Sequence, residues 1–241
     1  MNNSILIFGA MDAETEFLIS QLSNVQKTET GGYPFFEGNF GNKKIIICKT
    51  FTGMENSAAA TAIGILKFQP DCIISQGTAG GHNPILHKGD IVIGEKLVNV
   101  SSLKTKHYGK NQGIHPEEWE INDWDAFEND GKKIPCLYSS PSLVEAAMNT
   151  EYIKGKLVKG ITSSSNNWNM ELDRINHFVK TYGSSCEEME SYAATQIANR
   201  FNVPALTIRI ISNSEQHPGE EYDRTIGQIC QEFVLDVIKK L

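Results

Sequence analysis

A single-domain, three-layer α/β/α fold around a central twisted, mixed and largely parallel sheet is predicted by three features of the 241-residue chain. Short apolar runs alternate with amphipathic stretches at helical spacing, the pattern of strands joined by crossover helices. Four of those runs, ending at Phe8, Gln76, Ile161 and Ile211, lead into polar or glycine-rich segments. The length and the 40% hydrophobic content suit one large core better than two small ones.

Taken in order, Ile5 to Phe8 is a strand running into Gly9-Ala10-Met11-Asp12-Ala13-Glu14, and Phe17, Leu18, Ile19 and Leu22 predict a helix. Glu14 therefore stands at a strand-to-helix turn, where an acid also complements the helix dipole. Tyr33 to Phe40 and Lys43 to Lys49 read as paired strands around Gly41-Asn42. Thr52-Gly53-Met54 leads into an alanine-rich helix from Ser57 to Phe68. The buried strand Cys72 to Gln76 is expected to break at Gly77-Thr78-Ala79-Gly80-Gly81, whose small residues let a ligand approach backbone N–H groups. This stretch matches neither the dinucleotide fingerprint nor the P-loop, so no cofactor is expected.

Gly89 to Val98 is another strand. Residues Ser101 to Lys133 then lack a sustained period and mix His107, Tyr108, Trp119, Trp124 and Phe127 with many acids. They read as a long excursion whose acids form a solvated face and whose aromatics pack on the protein. Ser140 to Asn149 is helical, Leu157 to Ile161 a strand, and Thr162 to Trp168 a polar loop. A tryptophan there can plug a core or offer a platform to a flat ligand. Glu171 to Lys180 and Thr225 to Lys240 are helices, the last with Ile229, Phe233, Val234, Val237 and Ile238 as its buried stripe.

The stretch Ser184 to Glu215 organises the rest. Glu188, Met189 and Glu190 are expected to open a helix continued by Ala193, Ala194, Ile197 and Ala198, which Asn202-Val203-Pro204 ends before the strand Ala205 to Ile211. Ser185 followed by Glu188 fits a capping box, which accounts for one glutamate but not for Glu187, Glu188 and Glu190 together. Ser212 and Asn213 sit at the strand end, where ligands of open α/β sheets gather.

Net charge is −7 with no Lys/Arg block, which argues against nucleic acid or an anionic membrane as partner and for a small molecule. The N-terminus has no basic leader, and no run approaches about 18 apolar residues, so a cytoplasmic protein is expected. Five scattered cysteines without a CxxC pair suggest reduced thiols and no metal site.

Several segments together resemble a known family. GAMDAE at Gly9 to Glu14, TGMENSAAA at Thr52 to Ala60, PDCIISQGTAGG at Pro70 to Gly81, KGDIVI at Lys88 to Ile93, EEMESYA at Glu187 to Ala193 and FNVPALTIRIISN at Phe201 to Asn213 fall in one order and spacing. In these the chain resembles the purine-type nucleoside phosphorylases and nucleosidases, most closely the bacterial methylthioadenosine/S-adenosylhomocysteine nucleosidases. The resemblance covers most of the chain; Ser101 to Lys133 matches poorly.

The resemblance implies a role for each matching residue. Glu14 activates the attacking water, Met189 and Glu190 hold the ribose, and Glu188 is a second pocket carboxylate. Ala79 and Gly80, with Thr78 and Ser212 beside them, lie along the sugar and base, Trp168 stacks on the purine, and Met11 and Met54 border the ribose and its 5′ substituent. It also implies a homodimer, in which the excursion is a candidate to close the neighbouring 5′ pocket.

One departure changes the chemistry. Where nucleosidases of this type carry an aspartic acid at N7 of the base, this chain has Asn213, which donates hydrogen bonds but delivers no proton. Its two N–H groups suit O6 and N7 of a 6-oxopurine, and futalosine hydrolases, which release hypoxanthine, look similar here. The family's phosphorylases hold phosphate with arginines after the first strand and before the small-residue stretch. Those segments here contain none. The expected activity is hydrolysis of a purine nucleoside, of the methylthioadenosine/S-adenosylhomocysteine type or with a 6-oxopurine base; phosphorolysis and binding without turnover are the alternatives.

Overall fold

The structure, a computed structural model, describes residues 4–122, 127–129, 132–134 and 136–241. Its strands form where apolar residues fall on both sides of the backbone. Strand β1 (Ser4–Gly9) is flanked in parallel by β4 (Lys43–Lys49) and β5 (Cys72–Gly81). Ile5, Ile7, Ile45, Ile47 and Ile74 face one side, packed with Leu18 of α1 (Glu16–Ser20), Leu143 of α3 (Pro141–Met148) and Val234 of α6 (Gly227–Lys240). Leu6, Phe8, Ile46, Cys48 and Ile73 face the other, against α2 (Met54–Phe68) and α5 (Ser191–Arg200). Successive strand residues point to opposite faces, so these runs are buried twice. Each fully buried Ile or Leu contributes about 1.5–3 kcal/mol.

Beyond β4 the sheet extends through β3 (Tyr33–Phe40) to β2 (Ser23–Thr30), both added antiparallel. On the other side lie β6 (Ile91–Asn99), β7 (Leu137–Tyr138), β8 (Leu157–Ser164), β9 (Ser184–Glu188) and β10 (Ala205–Asn213). Strand β8 runs parallel to β6 and β9, β9 is antiparallel to β5, and β10 is parallel to β5 and antiparallel to β6. Five strands thus close into a ring, β5-β9-β8-β6-β10, joined to the open sheet through β5. Parallel and antiparallel pairings are evenly matched, so the sheet is mixed rather than largely parallel. The helices on its two faces agree with the expected layering.

Several boundaries differ from the sequence expectation. Strand β5 does not break at Gly77 but runs to Gly81, changing neighbours on the way: β1 lies beside Ile73 and Ser75, β9 beside Gly80 and Gly81. The small residues mark that exchange. A Cβ on Gly77 would lie 2.7 Å from Glu14 Oε1 and 3.0 Å from Arg209 Nη1, so only glycine lets both side chains reach the strand. The expected polar loop begins later, because Thr162, Ser163 and Ser164 are buried in β8 between two partners.

Glu188, Met189 and Glu190 do not open a helix. Glu188 ends β9, Glu190 caps α5, and that helix starts at Ser191. The capping box is absent: Ser185 Oγ instead accepts the Ile161 N–H at 3.2 Å. Near the N-terminus a 3-10 turn, Asp12–Glu14, precedes a five-residue α1. The exposed edge strand β2 has no apolar alternation to announce it.

In the excursion, Leu103–Lys104 pairs with Glu120–Ile121, and the Arg174 guanidinium of α4 (Leu172–Tyr182) lies 5.9 Å from the Trp119 ring centre and 5.0 Å from that of Phe178. Trp119 therefore packs as expected. Trp124 and the Phe127 side chain lie outside the described residues. All five cysteines are free and buried, and no described helix is long and apolar enough to cross a membrane.

Candidate active site

The C-terminal ends of β5, β9 and β10 meet the turn after β1 at a cavity of about 370 Å³. From β5 come Thr78, Ala79 and Gly80; from the end of β9, Glu188, Met189 and Glu190; from β10, Ser212 and Asn213; and from the first turn, Met11 and Glu14. Trp168 stands at the wall, 60% exposed, edge-on to Tyr222 at 5.2 Å between ring centres. Every residue expected at the site lines this cavity except Met54. Met54 begins α2, and its N–H donates to Asn166 Oδ1 at 2.9 Å.

Glu14 is buried and held from two strands. Its Oε2 accepts the Ala10 N–H at 2.8 Å, and its Oε1 accepts the N–H and hydroxyl of Thr78 at 2.8 and 2.9 Å. This carboxylate is fixed across the sheet, not placed merely to complement a short helix. Glu190 is tied to the entry of α2, its Oε1 accepting the Gly53 N–H at 3.0 Å and its carbonyl the Ser57 hydroxyl at 3.0 Å.

Glu188 lines the wall, but its carboxylate is committed to the protein. Oε2 accepts from Arg209 Nη2 at 2.5 Å and Nε at 3.1 Å and from the N–H groups of Glu190 and Ser191, while the Ser164 hydroxyl donates to Oε1. Arg209 is 1% exposed and is the structural ion-pair partner that its place inside an apolar strand suggests. Arg209 Nη2 also lies 3.7 Å from Glu190 Oε2, and the charge of Glu14 acts on it as a third acid.

The charges follow from that count. Burial would raise Glu188, but the Arg209 charge and the hydrogen bonds from Ser164, Arg209 and Ser191 hold it below the usual carboxylate range. Burial lowers Arg209, and the charges of Glu188, Glu190 and Glu14 more than reverse this. Glu190 is pushed up to about 8, first by burial, then by the negative charges of Glu188 and Glu14, with Arg209 opposing.

Because the folded protein holds the Glu190 proton more tightly than the unfolded chain, this group's contribution to stability is complete below about pH 4.5 and is lost as pH rises through 8. The unliganded protein should therefore melt at falling temperature between pH 5 and 8, and Glu190→Gln should flatten that slope. An unchanged slope in the variant, followed by calorimetry, would assign the dependence to other groups.

In the same cavity the Ser212 hydroxyl donates to Asn213 Oδ1 at 3.0 Å, which leaves the amide N–H groups as the donors. His82, Glu187 and Asn169 are among the further polar residues lining the cavity; of these the sequence reading singled out only Glu187, without a role. Expecting a loop at Gly77 to Gly81 and a helix start at Glu188 hid the pairing of the first two. Extending both strands sets Glu187 opposite Gly80 and His82 opposite Ser185, diagonal neighbours two residues apart on one face.

A cavity at strand ends, lined by fixed carboxylates and by amides, is the kind of site in which α/β enzymes hold a polar small molecule. The chain belongs to the phosphorylase superfamily, whose family model matches residues 4–241. It is 29% identical over 243 residues to a 5′-methylthioadenosine/S-adenosylhomocysteine nucleosidase of an Exiguobacterium species, covering 98% of this chain and 97% of the relative. It is 30% identical over 213 residues to the nucleosidase of that name from Halalkalibacterium halodurans, covering 86% and 84%.

Among solved structures, it is similar to the Neisseria meningitidis nucleosidase in complex with methylthio-immucillin-A, with a TM-score of 0.81, 23% identity and 99% and 100% of the two chains covered. The futalosine hydrolase of Helicobacter pylori has a TM-score of 0.80 at 22% identity, with 100% and 99% covered. At these identities the structures establish the shared fold.

Proposed function

We propose that the protein is a purine nucleosidase, which hydrolyses the N-glycosidic bond of a purine nucleoside to free base and sugar. The observation that carries this reading is the convergence of Glu14 and Glu190 with the Asn213 amide in one cavity. Cleavage builds positive charge on the sugar and negative charge on the leaving base, so carboxylates near the one and N–H donors near the other stabilise the transition state. Glu14 orients and deprotonates the water. Glu190, with Met189, holds the ribose, and Trp168 covers the purine face.

Water is the nucleophile in this reading because no lysine or arginine stands among the described residues lining the cavity, and Arg209 is committed to Glu188. A phosphate in place of water would meet the Glu14 carboxylate and no free cation among the described residues lining the cavity. The relatives' names support nucleoside hydrolysis, with methylthioadenosine or S-adenosylhomocysteine as one substrate choice. Asn213 favours a 6-oxopurine as the other. A cytoplasmic homodimer belongs to the same proposal; the exposed Trp168 of the cavity wall, with Met170 and Leu172 next to it in the chain, offers apolar surface for a second copy to cover.

The test is release of free base from methylthioadenosine, S-adenosylhomocysteine, adenosine, inosine, guanosine and futalosine, with and without phosphate. Base release without phosphate is expected, and Asn213→Asp should shift the preference toward 6-aminopurines. Release only with phosphate would replace hydrolysis by phosphorolysis, and an unshifted preference would remove Asn213 from the base. Light scattering on the same preparation reads the assembly; a fully active monomer would end the dimer proposal.

A further inference from the structure

One buried pair in the cavity has no part in the chemistry above. His82 and Glu187 are both buried, with His82 Nε2 3.1 Å from Glu187 Oε2. The Asn169 amide donates to the same oxygen at 3.2 Å, and the Ser165 hydroxyl donates to Oε1 at 2.6 Å. Behind the imidazole, His82 Nδ1 lies 2.9 Å from Ser184 Oγ, which accepts the Ser163 hydroxyl at 2.8 Å. The histidine is thus fixed from its far side and faces the carboxylate.

A carboxylate has about four acceptor positions. Two on Oε2 are occupied by His82 and Asn169, and one on Oε1 by Ser165. Among the described residues, no donor meets the second acceptor position of Oε1. Held this way in a cavity wall, the Glu187 side chain can accept a single N–H or O–H group from a ligand.

Strand register says which part of the ligand that group belongs to. Glu187 on β9 and Asn213 on β10 both pair with Gly80 of β5, one from each side. Glu14 is bonded to Thr78, two residues earlier, roughly 7 Å back along the strand. With Glu14 at the sugar, Glu187 and Asn213 fall together at the base.

We propose that Glu187, held by His82, reads N1 of the purine and selects a 6-oxopurine nucleoside over a 6-aminopurine one. This rests on the nucleosidase reading for its orientation of the ligand. In a 6-oxopurine N1 carries a hydrogen, which Glu187 Oε1 accepts. In a 6-aminopurine N1 carries a lone pair, which the carboxylate repels. The Asn213 amide makes the same distinction on the opposite side, donating to O6 and N7. Two side chains from two strands, one acceptor and one donor, match the N1, O6 and N7 positions of one class of base.

The experiment compares inosine with adenosine, which share a sugar and differ at position 6. Wild-type kcat/KM should favour inosine by roughly 10²-fold, the range set by a charge-assisted hydrogen bond gained against a lone pair left facing an acceptor. Glu187→Gln, whose amide can donate to the N1 lone pair, should narrow that ratio by roughly 10- to 10²-fold. Both rates come from one preparation, so poor folding would lower them together and leave the ratio. His82 is a positioning residue. His82→Leu should narrow the ratio through KM with kcat for inosine unchanged, and His82→Gln, which keeps an N–H donor, should restore it.

Equilibrium binding of hypoxanthine and adenine separates this inference from the reading beneath it. Hypoxanthine preference abolished by Glu187→Gln, with no nucleoside cleaved, would keep base selection and end the nucleosidase. Base release with the same inosine-to-adenosine ratio in wild type and Glu187→Gln would overturn the selection and keep the nucleosidase.

Discussion

Glu14→Gln should lower base release by roughly 10²- to 10⁴-fold, the contribution of a positioned general base, while free purine binds as in the wild type. The substitution keeps the side chain's shape and removes its ability to take a proton. It also disturbs the hydrogen bonds, because an amide has one acceptor oxygen where the carboxylate receives Ala10 on one side and Thr78 on the other. A loss of stability of about 1–3 kcal/mol is therefore expected alongside, from one buried N–H left facing a donor. Single-turnover base release and equilibrium purine binding distinguish the two effects. Turnover within a few-fold of wild type would remove Glu14 from the mechanism.

Arg209→Met should be the most destabilising single change at the site, by about 3–5 kcal/mol, because it leaves Glu188 as an uncompensated charge in the interior. The pair itself is less valuable than the cost of breaking it, since removing two ions from water offsets most of their attraction. The double change Arg209→Met with Glu188→Gln should therefore recover much of the loss, an outcome that a purely packing role for the arginine would not produce. Denaturant midpoints at constant slope measure all three proteins. A loss below about 1 kcal/mol in the single variant would show that Glu188 takes up a proton readily once its partner is gone.

Much of the fold was legible because the strands around β1 carry isoleucines on both faces and the helices show apolar residues at 3.6-residue spacing. Of the site, the motif resemblance names Glu14, Glu190 and Asn213, and these three line one cavity. What escaped was where polar strands end. Thr162 to Ser164 and Gly77 to Gly81 lack the apolar alternation by which strands are recognised, since their side chains or bare Cα atoms face partners on both sides. Propensity says loop there, and sheet pairing overrides it. The same override moved Glu188 from a helix to a strand end. It also hid the pairing of His82 with Glu187, which depends on two strands reaching further than composition suggests.

The ring of five strands closes only with β10, the last strand in the chain, inserted between β5 and β6. Its partner on β5 lies more than a hundred residues earlier, so the contact that completes the cavity comes late both in the sequence and in time. While the polypeptide is still emerging from the ribosome, its first half can assemble the open sheet around β1, yet it has nothing with which to hold a base. Ligand therefore offers no help to the nascent chain. It can stabilise only molecules whose synthesis has already passed Asn213.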